Sequence, residues 1–439
     1  MKKLLILSVS VASMSASIAA AGGWQASSLD TAFMYNTGAF AEISFGKVTP
    51  SIKAKTAMDF SGNLSDSGRS VIGDENRTSM SFKTDVVNLS FGVSTYKYGS
   101  IQMQGGASDA PTGTWIPDAD ATIDTIAMLG KWKATGNIDV LFGMTSNTLQ
   151  DSTVNTIMGQ YDIASSSATR PVLGVAYSIP DIALRIEALY MSNTNMTSST
   201  NFVEAQYGAP ELAAFQMPAI SYGDVVAAST QNPAISGLFQ QYGQALATNN
   251  PVTITNFLNT NIGNGVTAKQ ALTLTSAATS TVSGLDATLI LPETLRLNFQ
   301  TGVAADTLLF GSIEHVKWSG AQITVPTGSL ATSIETEFAD TTSYSLGIGR
   351  KLNEQWSISA TYLREPGNDS TSSSLFTVSN GTEGVTLGAR YTQGNMVVSG
   401  GVNYTRVGAV DIVTASGQTL ATYSGNTAMG VGLKLGFTF

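Results

Sequence analysis

Five cations stand in alternating runs where a strand would turn them away from its greasy face: Arg185, Arg296, Lys317, Arg350 and Arg390. Arg185, for example, lies between Leu184 and Ile186. A cation in apolar surroundings holds a carboxylate through charge-assisted hydrogen bonds, so these five are the candidate ligand-binding charges. The alternative is that they pair with Glu187, Glu314 and Glu383 in a structural ion network. A second set, Phe215, Met217, Phe239, Tyr242, Phe257 and Leu258, falls where alternation fails. It would line an apolar groove or pack within its own loop.

Other chemistry is scarce. His315 is the single histidine, and neither a nucleophile elbow nor a nearby acidic cluster accompanies it. A hydrolase would need that histidine as general base beside a nucleophile. There is no cysteine, which excludes disulfides and thiolate metal sites, and a lone histidine makes a poor metal site. No catalytic residue, metal or cofactor is expected. The net charge of −9 argues against nucleic acid, which needs a basic face.

The elements that must position these residues are strands. The last eleven residues place Met429, Val431, Leu433, Leu435, Phe437 and Phe439 on one face and Gly430, Gly432, Lys434, Gly436 and Thr438 on the other. That is strict period-two alternation ending on an aromatic, the pattern of a closing barrel strand with lipid outside and lumen inside. The same pattern recurs as hairpins: 78–83 with 89–94, 122–133 with 138–145, 170–178 with 182–192, 295–300 with 307–318, 344–350 with 356–362, and 385–391 with 396–404. Short turns alternate with long loops. The chain is therefore predicted to be all-β, a transmembrane antiparallel up-and-down β-barrel of about 14 strands.

Composition agrees. Charged residues make up 12% of the chain, with 43 glycines, whereas soluble domains carry about 25% charge. Met1-Lys2-Lys3 and an apolar run to about Ala21 read as a secretory signal peptide, residues 1–21. Residues 22–38 lack a period, and 39–439 form the barrel. Residues 203–284 break the alternation; helix-like pieces at 224–228, 234–248 and 254–258 suggest a large, partly helical extracellular loop.

Several stretches resemble the FadL/TodX family of outer-membrane transport proteins for long-chain fatty acids and other hydrophobic compounds. They are Gly38-Ala-Phe-Ala-Glu-Ile-Ser-Phe-Gly-Lys-Val-Thr-Pro50 and Pro171-Val-Leu-Gly-Val-Ala-Tyr-Ser-Ile-Pro-Asp-Ile-Ala-Leu-Arg185. Leu291-Pro-Glu-Thr-Leu-Arg-Leu-Asn-Phe-Gln-Thr-Gly302 is another, with Asp306-Thr-Leu-Leu-Phe310 and Trp318 after it. Tyr344-Ser-Leu-Gly-Ile-Gly-Arg350 and the closing strand complete the set. The resemblance implies a monomeric bacterial outer-membrane barrel whose N-terminal segment plugs the lumen. It implies passive uptake of a long-chain fatty acid or other hydrophobic small molecule, an internal pocket and a sideways exit into membrane lipid. The chain departs from the family in its short N-terminal segment, which lacks an Asn-Pro-Ala signature; Asn232-Pro233-Ala234 lies in the long loop instead. A general diffusion porin for small polar solutes is the competing expectation. It would show an acidic constriction loop facing a basic ladder.

Overall fold

The computed structural model describes residues 25–439 apart from 58–63, 108–113, 157–158, 205, 208–219, 222–240, 242–250, 264–265, 269–280, 321–322, 327–332, 369 and 415–416. The leader at 1–21 lies outside the described residues, as do Phe215, Met217, Phe239 and Tyr242 and nearly all of the helix-like pieces at 224–228 and 234–248.

Alternating sequence produces barrel strands numbered here β1 to β14. They are β1 (Phe40–Ser51), β2 (Glu75–Val86), β3 (Leu89–Gln104), β4 (Asp118–Lys133), β5 (Ile138–Leu149), β6 (Ser166–Ile179) and β7 (Leu184–Met191). The second half comprises β8 (Thr294–Ala304), β9 (Thr307–Val316), β10 (Thr341–Lys351), β11 (Trp356–Glu365), β12 (Thr382–Gln393), β13 (Met396–Val407) and β14 (Asn426–Thr438). Each strand pairs antiparallel with the next, and β14 returns to β1 in a ladder running from Phe40↔Thr438 to Ser51↔Thr427. The barrel is closed, with fourteen strands, as a sheet that crosses lipid requires.

Side chains divide by parity. On β14, Met429, Val431, Leu433 and Phe437 are exposed outward. Phe45, Phe82, Phe142, Leu173, Ile348 and Leu387 extend the same apolar belt around the wall. Trp132, Trp356, Tyr362 and Tyr404 are exposed with it, as an aromatic girdle requires. Trp318 is buried instead, packed edge-on to Phe338 at 6.2 Å. Among the described residues no helix is long and apolar enough to cross a membrane; the chain crosses with strands. This is the architecture of a bacterial outer-membrane barrel.

Short turns share one end with Gly38 and Phe439. Two of them place Val87 and Asp306 at φ 54° and 57°, a left-handed conformation that tight hairpins demand. The opposite end carries the long connections, and there the wall rises above the barrel. β3 and β4 run well beyond the alternating segments 89–94 and 122–133, because Ile101, Met103, Ala119 and Ala121 alternate into an apolar cluster. Strands Ser152–Thr156, Gly159–Ile163, Thr194–Glu204 and Thr281–Leu291 continue this sheet. The last two pair with each other, so the 203–284 insertion begins and ends within a hairpin. Inside it, Pro251–Leu258 is helical.

Candidate lumenal binding site

Residues 25–38 lie along the inner wall. Gln25 and Ala26 pair with Ser100 and Gly99 of β3, and the Ser27 amide donates to the Tyr98 carbonyl at 2.6 Å. Leu29, Phe33 and Met34 are buried against Ala127, Leu129, Val172, Leu189 and Met191. The short helix Ala32–Tyr35 fits because β3 has Gly92 there; a Cβ on it would sit 2.2 Å from Met34 Sδ. Polar ties finish the seating. Glu187 accepts hydrogen bonds from Thr31 Oγ1 (2.6 Å), Tyr35 OH (2.6 Å) and Asn298 Nδ2 (2.9 Å). Lys434 bridges Asp30 at 3.0 Å and Glu42 at 3.3 Å. Lys83 donates to the Asn36 and Gly38 carbonyls. Burial first, and then the adjacent Glu187 carboxylate, push the Tyr35 phenol well above its usual range.

The predicted cations separate into two groups. Arg185, Arg296 and Arg390 turn inward. Arg185 lies 4.0 Å over the Tyr35 ring. Arg296 pairs with Glu314 at 2.7 Å and donates to the Leu29 carbonyl at 2.7 Å. Arg390 sits near Glu42. The other two do not face the lumen. Arg350 continues the outward row of Tyr344, Leu346 and Ile348 and donates to Thr307 Oγ1 near the short-turn end. Lys317 is half exposed at the outer rim, 2.6 Å from Glu293. That contact holds the Glu293 carboxyl below its usual range, and the carboxylate in turn raises the lysine. The physical reason is common to both: long basic side chains at strand ends reach for water and headgroups. Glu383 also faces outward, accepting from Tyr362 OH at 2.7 Å, so it takes no part in a lumenal network. His315 shares a 2.9 Å hydrogen bond with Thr342, and Phe257 is half buried on its loop helix. Among the described residues no group of three His, Asp or Glu side chains is placed to hold a metal.

One cation absent from the expected set stands out. Arg170 of β6 is 1% exposed. Its Nη1 donates to the Pro292 carbonyl at 2.8 Å, and its guanidinium lies 5.1 Å over the Tyr98 ring. Its Nε and Nη2 are buried without a hydrogen-bond partner among the described residues, and so is Trp318 Nε1. Tyr98, Pro292 and Trp318 together line a small pocket. Above lies a narrow apolar cavity of about 40 Å³ lined by Ile101, Ala121, Leu149, Val154, Tyr161 and Leu289. Parity was the available signal. Arg170 shares the inward row of Gly174, Ala176 and Ser178, while Leu173, Val175 and Tyr177 face lipid.

Among the described residues, the ladder of the wall is interrupted between β2 and β3. The β2–β3 ladder ends at Met80↔Thr95. Above it, Glu75–Ser79 pair only with β1, and Tyr96–Gln104 pair with β4 across a bulge at Tyr98. Pairing resumes where the Gly73 amide donates to the Gln102 carbonyl at 2.8 Å and Ile72 bridges Met103. The result is a window in the sheet, with Gln25–Ala26 paired to its β3 edge.

No family model and no curated protein sequence matches the chain. Solved structures do. A FadL homologue from Pseudomonas aeruginosa superposes with a TM-score of 0.61 at 12% identity, covering 93% of this chain and 92% of the other. The toluene transporter TodX of Pseudomonas putida gives 0.56 at 11%, covering 96% and 97%. The toluene transporter TbuX of Ralstonia pickettii gives 0.54 at 12%, again covering 96% and 97%. At these identities the likeness is one of fold: the chain has the FadL/TodX-type barrel over nearly its whole length.

Proposed function

We propose that the barrel takes up hydrophobic molecules bearing a carboxylate head, long-chain fatty acids foremost, by passive passage across the outer membrane. The observation behind this reading is Arg170: a fully buried guanidinium with two open nitrogens, held against Tyr98 and Pro292, which line a small pocket next to the apolar cavity. An unpaired buried charge costs several kcal/mol, and a ligand carboxylate would satisfy it bidentately. The tail would enter the apolar cavity above, whose side chains must part to admit it. Residues 22–38 serve as the plug. The described part of this segment, with Glu187, Lys434, Asp30 and Lys83 around it, makes a charged floor that an apolar molecule would not cross. The β2–β3 window is the sideways exit into lipid. The protein acts as a monomer and performs no catalysis.

A porin for small polar solutes is the second reading, favoured by one feature. Gly388, Gly401, Gly432 and Gly46 lie in register on β12, β13, β14 and β1, and strip the inner wall of side chains there. Binding of palmitate to the detergent-solubilised barrel, measured beside conductance in a planar bilayer, separates the two. Saturable binding with negligible steady conductance is expected. A large stable conductance without palmitate binding would replace uptake with the porin.

A further inference from the structure

We propose that Glu75 is a specificity gate in the β2–β3 window, a latch that a ligand carboxylate opens by exchange; this rests on the uptake reading above. Where the backbone ladder is missing, four side chains close the gap. Glu75 is 1% exposed. It accepts from Ser100 Oγ of β3 at 2.7 Å and from Arg77 Nε at 2.7 Å, with Arg77 Nη2 at 2.6 Å. Lys97 Nζ, on the β3 side, stands 4.0 Å from the same carboxylate. Asp124 of β4 is the register neighbour of Lys97 and takes a hydrogen bond from Gln150 at 3.0 Å. Asp74 is held by Lys47 at 2.7 Å. Among the described residues, Glu75 is therefore the carboxylate that ties β2 to β3 across the unpaired stretch.

Tyr98 connects this latch to the lumen. It forms the β3 bulge between Lys97 and Gly99, and its ring lies against the Arg170 guanidinium. A head group leaving Arg170 meets Arg77 and Lys97 next. A carboxylate offers those cations what Glu75 offers them, so it can take its place on Arg77 and Lys97 while Glu75 keeps its hydrogen bond from Ser100 Oγ, and the window side chains part. A neutral apolar molecule has no such exchange. To pass, it must break the Glu75 contacts and leave buried charges unsatisfied. The latch thus selects acids over neutral compounds of the same shape.

The test uses the full barrel in proteoliposomes, with palmitate and methyl palmitate as probes. Binding of each to the solubilised protein is measured first; a wild type that binds neither refutes the uptake reading itself. With binding established, wild type is expected to pass palmitate about tenfold faster than the ester, the worth of one charge-assisted hydrogen bond. Glu75→Gln is expected to bring the ester to within about twofold of the acid. Arg77→Gln is expected to slow the acid about tenfold and to quicken the ester, which no longer has to break the Arg77–Glu75 contacts. Folding of each variant is checked by its heat-dependent gel migration. If folded Glu75→Gln keeps the wild-type preference, or slows both probes alike while binding persists, the latch is refuted and uptake stands.

Discussion

Replacing Arg170 by methionine should move affinity and stability in opposite senses. Methionine keeps an unbranched stem and removes the guanidinium. On the ligand side, a carboxylate seated on Nε and Nη2 loses at least one charge-assisted hydrogen bond of about 1.5–3 kcal/mol. At 1.4 kcal/mol per decade, palmitate binding should weaken by roughly 10- to 150-fold. On the stability side the terms oppose each other. The substitution abolishes the 2.8 Å hydrogen bond to the Pro292 carbonyl and the stacking on Tyr98, worth about 1–3 and up to about 2 kcal/mol. It also relieves the several kcal/mol of a buried, half-partnered charge. The variant should therefore unfold at the wild-type denaturant midpoint or above it. Calorimetric titration with palmitate and with methyl palmitate, beside urea unfolding in detergent, measures both. The ester should lose no more than about twofold. Unchanged palmitate affinity together with a loss of about 4 kcal/mol or more would make Arg170 a structural strut and remove the basis for the carboxylate reading.

Other outcomes follow from the same geometry. Gly92→Val places atoms where Met34 and Phe33 lie; it should displace the N-terminal helix at about 1–3 kcal/mol and raise planar-bilayer conductance. Glu187→Gln weakens the ties to Thr31 and Tyr35 and should make residues 25–38 accessible to added protease while the barrel stays folded. Leu433→Arg, on the lipid face, should cost about 2–4 kcal/mol in vesicle refolding, whereas the inward-facing neighbour Gly432 should accept a small polar residue at much lower cost. Arg350→Gln should leave palmitate binding unchanged, since Arg350 faces outward at the short-turn end; a tenfold loss would contradict its placement.

Much of the wall was legible because alternation is a one-dimensional signal. Met429 through Phe437 announce lipid on one side and lumen on the other, and the register follows. The same rule, applied strictly, also locates the two misplaced cations. Arg350 belongs to the even row of Tyr344, Leu346 and Ile348, and Lys317 to the odd row of Ile313 and His315. Arg170 could have been found by parity alone. What alternation cannot supply is any departure from itself. The bulge at Tyr98 flips the inward parity from Tyr96 to Ile101, and the window depends on which strand lacks a partner, a property of two segments together. The seating of residues 25–38 was equally hidden, because Glu187, Arg296 and Lys434 reach it from strands remote in sequence, and no local period encodes such contacts.

The N-terminal segment has a consequence for how the molecule is made. Asp30 meets Lys434 across 404 positions, and Ser28 meets Glu314 across 286. Those partners stand on β14 and β9, so the pocket that receives Asp30 is complete only when the cylinder has shut. Contacts of such long range form slowly. Residues 25–38 would be the last to find their final neighbours, enclosed by a sheet that assembles around them. A chain whose first and last strands join before that segment is inside would be trapped with an empty bore, so insertion should yield two folded populations when Asp30 or Lys434 is neutralised. A single population in quantitative protease mapping of such variants would show that seating can follow closure.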